Sequence, residues 1–475
     1  MQMEATRVKR TISVFTLAMI NVAAIGSVKN WPLTAELGMA SIFYLALATI
    51  VFFLPTALIS AELATGWPER GGLFAWIKHA FGHRTAFLAI WLYWVQNLFW
   101  YPTILSFLAA TIAYIFHPAL AENTTYLVCV ILISFWLATF ANMFGMKVSG
   151  WISSVSVLLG AFIPGGLIIL FGFLWLAMGK PLQISLEWGA LAPNLSSFTE
   201  IAFFTGVILS IVGIEMSAVH ARDVKYPQKD FPNAILIAGL IIVGSSIVGV
   251  LAIASVVPQK TLSLVTGFLQ AFAYFADHFG VPWLTPLVAT FTAIGAFGGM
   301  STWIVGPSKG LLAAAQNGDL PPLFRSVNAK GMPIVLLLTQ AIIVSALSLL
   351  FIFMPGVSSA FWILIAITAQ LYMIIYILLF AAAMRLRYTF PEKERPYRVP
   401  GGKFGIWFVS SIGILSSLFA LVVGFFPPSS FPHINLLYYE SFLFIGILLS
   451  CIAPSIILLF QKPHWKHLLK HERDS

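Results

Sequence analysis

The sequence predicts an all-α polytopic membrane protein of about twelve transmembrane helices, and three observations carry that prediction. Of its 475 residues 59% are hydrophobic and 9% charged, with a mean hydropathy of +0.93, which leaves too few polar side chains to cover a soluble domain of this size. Apolar runs of about 20 residues, the length that crosses a bilayer as a helix, recur along the whole chain between short polar joints. The Lys and Arg residues, 26 against 17 Asp and Glu, gather in alternate joints. With the N-terminus on the cytoplasmic side, only about three of them, Lys29, Lys180 and Lys260, fall outside, as the positive-inside rule requires. The net charge of +9 therefore reports topology, and no nucleic-acid partner is expected. Cys129 and Cys451 both lie in apolar runs, so neither a disulfide framework nor a metal site is suggested, and no cofactor is called for.

Residues 1–10 carry Arg7, Lys9 and Arg10 ahead of an apolar run from Thr11 to Val28. That run is long for the core of a secretion signal and holds Asn21, and its removal would invert the charge asymmetry of every later joint, so it reads as span 1. Span 2 covers about 39–63 and ends at Glu62; beyond Pro68, Gly71 and Gly72, the apolar set Leu73, Phe74, Trp76, Ile77 and Phe81 predicts a short interfacial helix on the cytoplasmic surface. Spans 3, 4 and 5 fall at about 85–116, 125–145 and 150–178, and the polar outer loop from Gly179 to Thr199 closes the first half. Span 6 starts near Phe204 and is followed by a cytoplasmic joint holding Arg222, Asp223, Lys225, Lys229 and Asp230. Spans 7 and 8 fall at about 233–257 and 284–316, with an outer segment from Phe268 to Phe279 between them; Pro307 is expected to break span 8. Spans 9 and 10 lie at about 333–354 and 359–384, and spans 11 and 12 follow the basic joint Arg385 to Lys403, at about 405–427 and 438–461. His464, His467 and His471 in the tail read as a solvated or headgroup-facing surface rather than a metal site.

Candidate functional residues come from polar groups at membrane depth. Span 6 carries Ser210, Gly213 and Glu215 near its middle, and a carboxylate there costs roughly 2.5 to 3.5 kcal/mol unless it faces a cavity or a partner. Gly and Ser are weak helix formers, so the backbone is expected to open at this point, as it does where it lines a site. Span 1 has a matching small-residue patch, Ile25, Gly26 and Ser27, followed by Lys29. Tyr372 and Tyr376 in span 10 are four apart, hence on one helical face, a spacing more often met in core packing than in ligand contacts. Interrupted helices in corresponding positions of two halves point to an inverted-repeat transporter.

Four strings, PERGGLFAW after span 2, SIVGIEMSAVHARDVKYPQKDFP in span 6 and its joint, WIVGPSKGLLAAAQNGDLPPLF in span 8 and VPGGKFG before span 11, make the chain resemble the amino acid-polyamine-organocation superfamily from about Thr11 to Phe460. Within it, the sequence looks most like the bacterial glutamate/γ-aminobutyrate antiporters. The resemblance implies twelve helices, ten of them in two inverted five-helix repeats (about 11–178 and 198–386, a core of 11–386), then a joint with helices 11 and 12 (387–461) and a short tail (462–475). It implies alternating access to a site between helices 1, 6, 8 and 10. By position, Ile25, Gly26 and Ser27 match the helix 1 break whose amides hold a substrate carboxylate. Ser210, Gly213 and Glu215 match the helix 6 break and gate, and Tyr372 and Tyr376 match aromatic positions along the pathway. The physics agrees, because free N–H groups at a helix start favour an anion. This sequence departs from the pattern in having one glycine in the helix 1 patch, Lys29 after it, and a tail too short for a cytoplasmic plug, so plug-type pH gating is expected to be absent.

These residues imply an amino acid transporter of the bacterial inner membrane with both termini cytoplasmic, exchanging an acidic or neutral amino acid for a related amino acid or amine. Its partners are then amino acid substrates and the lipid bilayer; a homodimer is left open. An amino acid/proton symporter of the same fold is the alternative. A channel would need a repeated filter motif. A polytopic enzyme would need a catalytic cluster, and His220 with Asp223 lacks a nucleophile. Lys29 either draws anionic substrates or extends to the outer headgroups, as long cations near helix ends do.

Overall fold

A computed structural model describes residues 12–68, 72–145, 156, 158–193, 201–215, 224, 226–354, 356–427, 435–463 and 465. The first span is split: α1 (Val14–Ile25) is capped by Ser13, whose Oγ accepts from the Thr16 N–H at 3.2 Å, and after an interruption the chain resumes as α2 (Trp31–Ala35). Span 2 is one long helix, α3 (Ala40–Gly66), with a π-turn at Thr49–Phe53. A short helix, α4 (Leu73–Phe81), follows, then α5 (His83–Phe116), α6 (Thr124–Met143) and α7 (Leu159–Ala177). Span 6 is again interrupted, its first part being α8 (Phe203–Leu209). The second half continues with α9 (Pro227–Val256), the outer helix α10 (Gly267–His278), α11 (Leu284–Gln316), α12 (Ile334–Phe353) and α13 (Val357–Thr389), and ends with α14 (Gly402–Val423) and α15 (Leu436–Leu459).

Among the described residues ten helices are long and apolar enough to cross a membrane, and no β-strand occurs. The interrupted α1–α2 and α8 stretches are the two remaining spans of the expected twelve. Their described parts are short, and the backbone opens after Ile25 and after Leu209, as the Gly and Ser residues there predicted. The second part of span 6, with His220 and Asp223, lies outside the described residues, as do the tail histidines and residues 194–200.

Enclosure grades across the bundle. In an apolar 18-residue stretch of α13 83% of the residues are buried, and in one of α5 72%, against 17% in α15, which turns Leu437, Leu449 and Leu459 outward. α13 and α5 are therefore the core of the molecule and α15 its periphery, where exposed leucines suit lipid. α4 is not laid flat away from the bundle; its Trp76 and Ile77 are buried and the Trp76 indole donates to the Trp67 carbonyl at 3.1 Å, leaving Lys78 and His79 exposed.

Span 8 corrects an expectation, since α11 runs unbroken through Pro307. Proline has no N–H for the carbonyl four residues back, and in an apolar setting that carbonyl must find another donor. The Tyr101 hydroxyl of α5 supplies it, donating to the Trp303 carbonyl at 2.8 Å. The same device recurs twice. Pro55 frees the Val51 carbonyl, which accepts from the Ser416 hydroxyl at 2.9 Å, and Pro454 frees that of Ser450, which accepts from the Trp91 indole at 3.1 Å. At the α7–α11 crossing, Gly160 and Gly295 meet backbone to backbone: a Cβ built on Gly160 would lie 2.0 Å from the Gly295 Cα.

Candidate functional site

Both interruptions open onto one cleft. α1 closes with the Gly26 N–H donating to the Val22 carbonyl at 2.7 Å; Ser27 is extended (φ −133°, ψ 123°), and a 3₁₀ turn, Val28–Asn30, leads into α2. Such a restart presents amides that no carbonyl of their own helix can reach. α8 ends at Leu209, Ser210 still donates back to Gly206, and Gly213 takes φ +112°, a conformation that a side chain would strain. The Gly213 N–H donates to the Tyr376 hydroxyl at 3.1 Å, and that hydroxyl donates to Glu215 Oε2 at 2.6 Å. A single tyrosine of α13 thus holds the opened backbone and the buried carboxylate together.

Ile25, Ser27, Lys29, Ser210 and Tyr372 line the cleft. Gly26 sits in the α1 interruption beside it. Gly213, Glu215 and Tyr376 form the cluster next to it rather than its wall, and Tyr376 stacks on Tyr372 with ring centroids 5.4 Å apart. All nine candidate residues therefore lie around the two interruptions.

Lys29 does not extend to an outer surface. It is 2% exposed, its ammonium donates to Thr103 Oγ1 at 2.9 Å, and it lies over the Trp100 and Phe361 rings at 5.2 and 5.4 Å. Among the described residues no carboxylate is paired with it. This corrects its placement among the outer-joint cations: the interruption after Ile25 turns the chain inward, so the side chain points into the protein.

The cleft also holds residues that sequence reasoning passed over: Asn30, Gln96, Asn97, Trp100, Trp303 and Thr368. Gln96 and Asn97 carried a signal, two adjacent amides in the middle of an apolar span, to which the rule used for Glu215 applies equally. Trp303 carried none; its place follows from the Trp100 contact, with centroids 5.9 Å apart, and from the Tyr101 bond to its carbonyl.

Two interrupted helices facing one cleft within an all-α membrane bundle point to a membrane transporter. The chain belongs to the amino acid permease family, whose model matches residues 11–449. It is 41% identical over 464 residues to an uncharacterized transporter of Legionella pneumophila, covering 98% of this chain and 99% of that one. It is 32% identical over 458 residues to the glutamate/γ-aminobutyrate antiporter of Lactococcus lactis subspecies lactis, covering 94% and 90%. The antiporter of the same description from subspecies cremoris matches at 32% over 458 residues, again covering 94% and 90%. The chain is thus a multi-pass membrane transporter of the amino acid-polyamine-organocation superfamily.

Proposed function

We propose that this protein is an amino acid antiporter that exchanges an acidic or neutral amino acid for a related amino acid or amine by alternating access. The observation that carries the reading is Lys29, a buried ammonium on the wall of a cleft flanked by two opened helices. In this reading the amides around Ile25, Gly26 and Ser27 hold the substrate's α-carboxylate, and the carbonyls near Ser210 and Gly213 take its ammonium group. Lys29 then meets a side-chain carboxylate; at an effective dielectric of about 20 an ion pair 4 Å apart is worth roughly 4 kcal/mol before desolvation is subtracted. Tyr372 forms the aromatic wall of the pathway, and Tyr376 with Glu215 forms the gate beneath it. The protein lies in a bacterial inner membrane with both termini cytoplasmic, which the clustering of its basic joints supports.

The buried Glu215 favours one second reading, amino acid/proton symport, because a carboxylate in such a place can carry a proton between the two faces. Counterflow in proteoliposomes separates the two. Antiport predicts that labelled glutamate accumulates only against an internal amino acid or amine, with no requirement for a pH gradient. Accumulation driven by a proton gradient into empty vesicles would select symport, and no accumulation with any amino acid would reject both.

A further inference from the structure

The face of α13 that carries Tyr376 carries a second grip on a carboxylate, three turns further on. Eleven residues separate Tyr376 from Arg387, a rise of about 16 Å that returns to within about 20° of the same direction. Tyr376 holds Glu215 after α8, and Arg387 holds Glu62 near the end of α3. The Arg387 grip is bidentate: Nε donates to Glu62 Oε1 at 2.7 Å and Nη2 donates to Oε2. Glu62 is 2% exposed, and the joint after α13 closes over it. Arg395 Nε lies 3.4 Å from Oε1, the Val399 N–H donates to Oε2 at 2.8 Å, and the Tyr397 N–H donates to Thr65 Oγ1 at 3.3 Å. The Arg395 guanidinium also covers the Trp67 ring at 4.9 Å.

A buried carboxylate that takes two arginines and a backbone amide is costly to uncover, so this cluster resists any motion that parts α3 from α13. The Glu215 and Glu62 contacts are both carried on one continuous helix, so a rigid-body movement of α13 away from its neighbours would part both. We propose that Glu62, Arg387 and Arg395 are positioning residues of the transport cycle, forming a latch that holds the pathway closed on the side of the 385–403 joint and opens together with the Glu215–Tyr376 contact. This rests on the alternating-access reading above.

The test places a single cysteine for Ala383, which lies on the same face of α13 between the two grips and is 2% exposed, in a chain with Cys129→Ser and Cys451→Ser. A membrane-impermeant maleimide is added to vesicles of each orientation, and a cysteine at the exposed Glu392 reports independently which orientation presents the joint. Glu62→Gln is expected to speed labelling at 383 at least tenfold from the joint side. It is expected to leave unchanged a cysteine at Ala360, buried near the opposite end of α13. Equal rates at 383 with and without the substitution would overturn the proposal, and so would acceleration at both positions, which reports a loosened fold. Should Glu62→Gln fail to fold, Arg387→Lys keeps the charge but loses the fork, with about threefold acceleration expected and none overturning the latch. Labelling needs no substrate, so absence of counterflow in the parent protein rejects the transport reading separately from the latch.

Discussion

Substrate choice is expected to turn on Lys29. Replacing it with Met keeps an unbranched apolar stem but removes the charged group that lies over Trp100 and Phe361 and bonds Thr103. In competition assays the advantage of glutamate over neutral amino acids should fall by about tenfold or more, because roughly 1.4 kcal/mol of a charge interaction is one decade. An unchanged ranking would assign selectivity to the cleft amides Asn30, Gln96 and Asn97 instead. Glu215→Gln still offers the Tyr376 hydroxyl an acceptor, so the variant is expected to fold while its exchange falls and loses its dependence on pH. Wild-type exchange across the pH range would reduce Glu215 to a packing role. Glu215 was legible from sequence because a lone carboxylate in an apolar run has few explanations. The direction of Lys29 was not, because the backbone turn after Gly26 decides it and a cation near a helix end is compatible with either outcome.

Individual helices depend on partners far away in the chain. Tyr101→Phe keeps the ring against Phe135, 5.0 Å away, but leaves the Trp303 carbonyl without its donor in apolar surroundings. A loss of about 1 to 3 kcal/mol follows, seen as a lower melting temperature in detergent, and transport should fall as well because Trp303 lines the cleft. A melting temperature equal to the parent's would mean that water or a rearranged backbone answers the carbonyl. This dependence explains why Pro307 misled as a helix breaker. The local rule is sound, but its remedy sits on another helix about 200 residues earlier, beyond the reach of any window of sequence. The interruptions of spans 1 and 6 were legible for the opposite reason, since Gly26 and Gly213 act on their own backbone.

Across the whole molecule, the order of the ten crossing-length helices among the described residues followed from hydropathy, whereas the Glu62 cluster did not. Glu62 and Arg387 lie 325 residues apart, and no period or motif links them before the chain has folded. The orientation of the bundle is open to direct measurement. A single cysteine at Leu186, exposed in the loop after α7, should react with an impermeant reagent on intact cells, and one at Glu392 only after lysis. The reverse pattern would invert the topology. The contact of Gly160 with Gly295 has a mechanical meaning of its own. Most helix crossings mesh side chains like gear teeth, so that sliding or rotation must first unmesh them. Here two bare backbones meet instead, so α7 and α11 approach more closely than side chains would allow, and a bulky residue at either glycine would push the two helices apart.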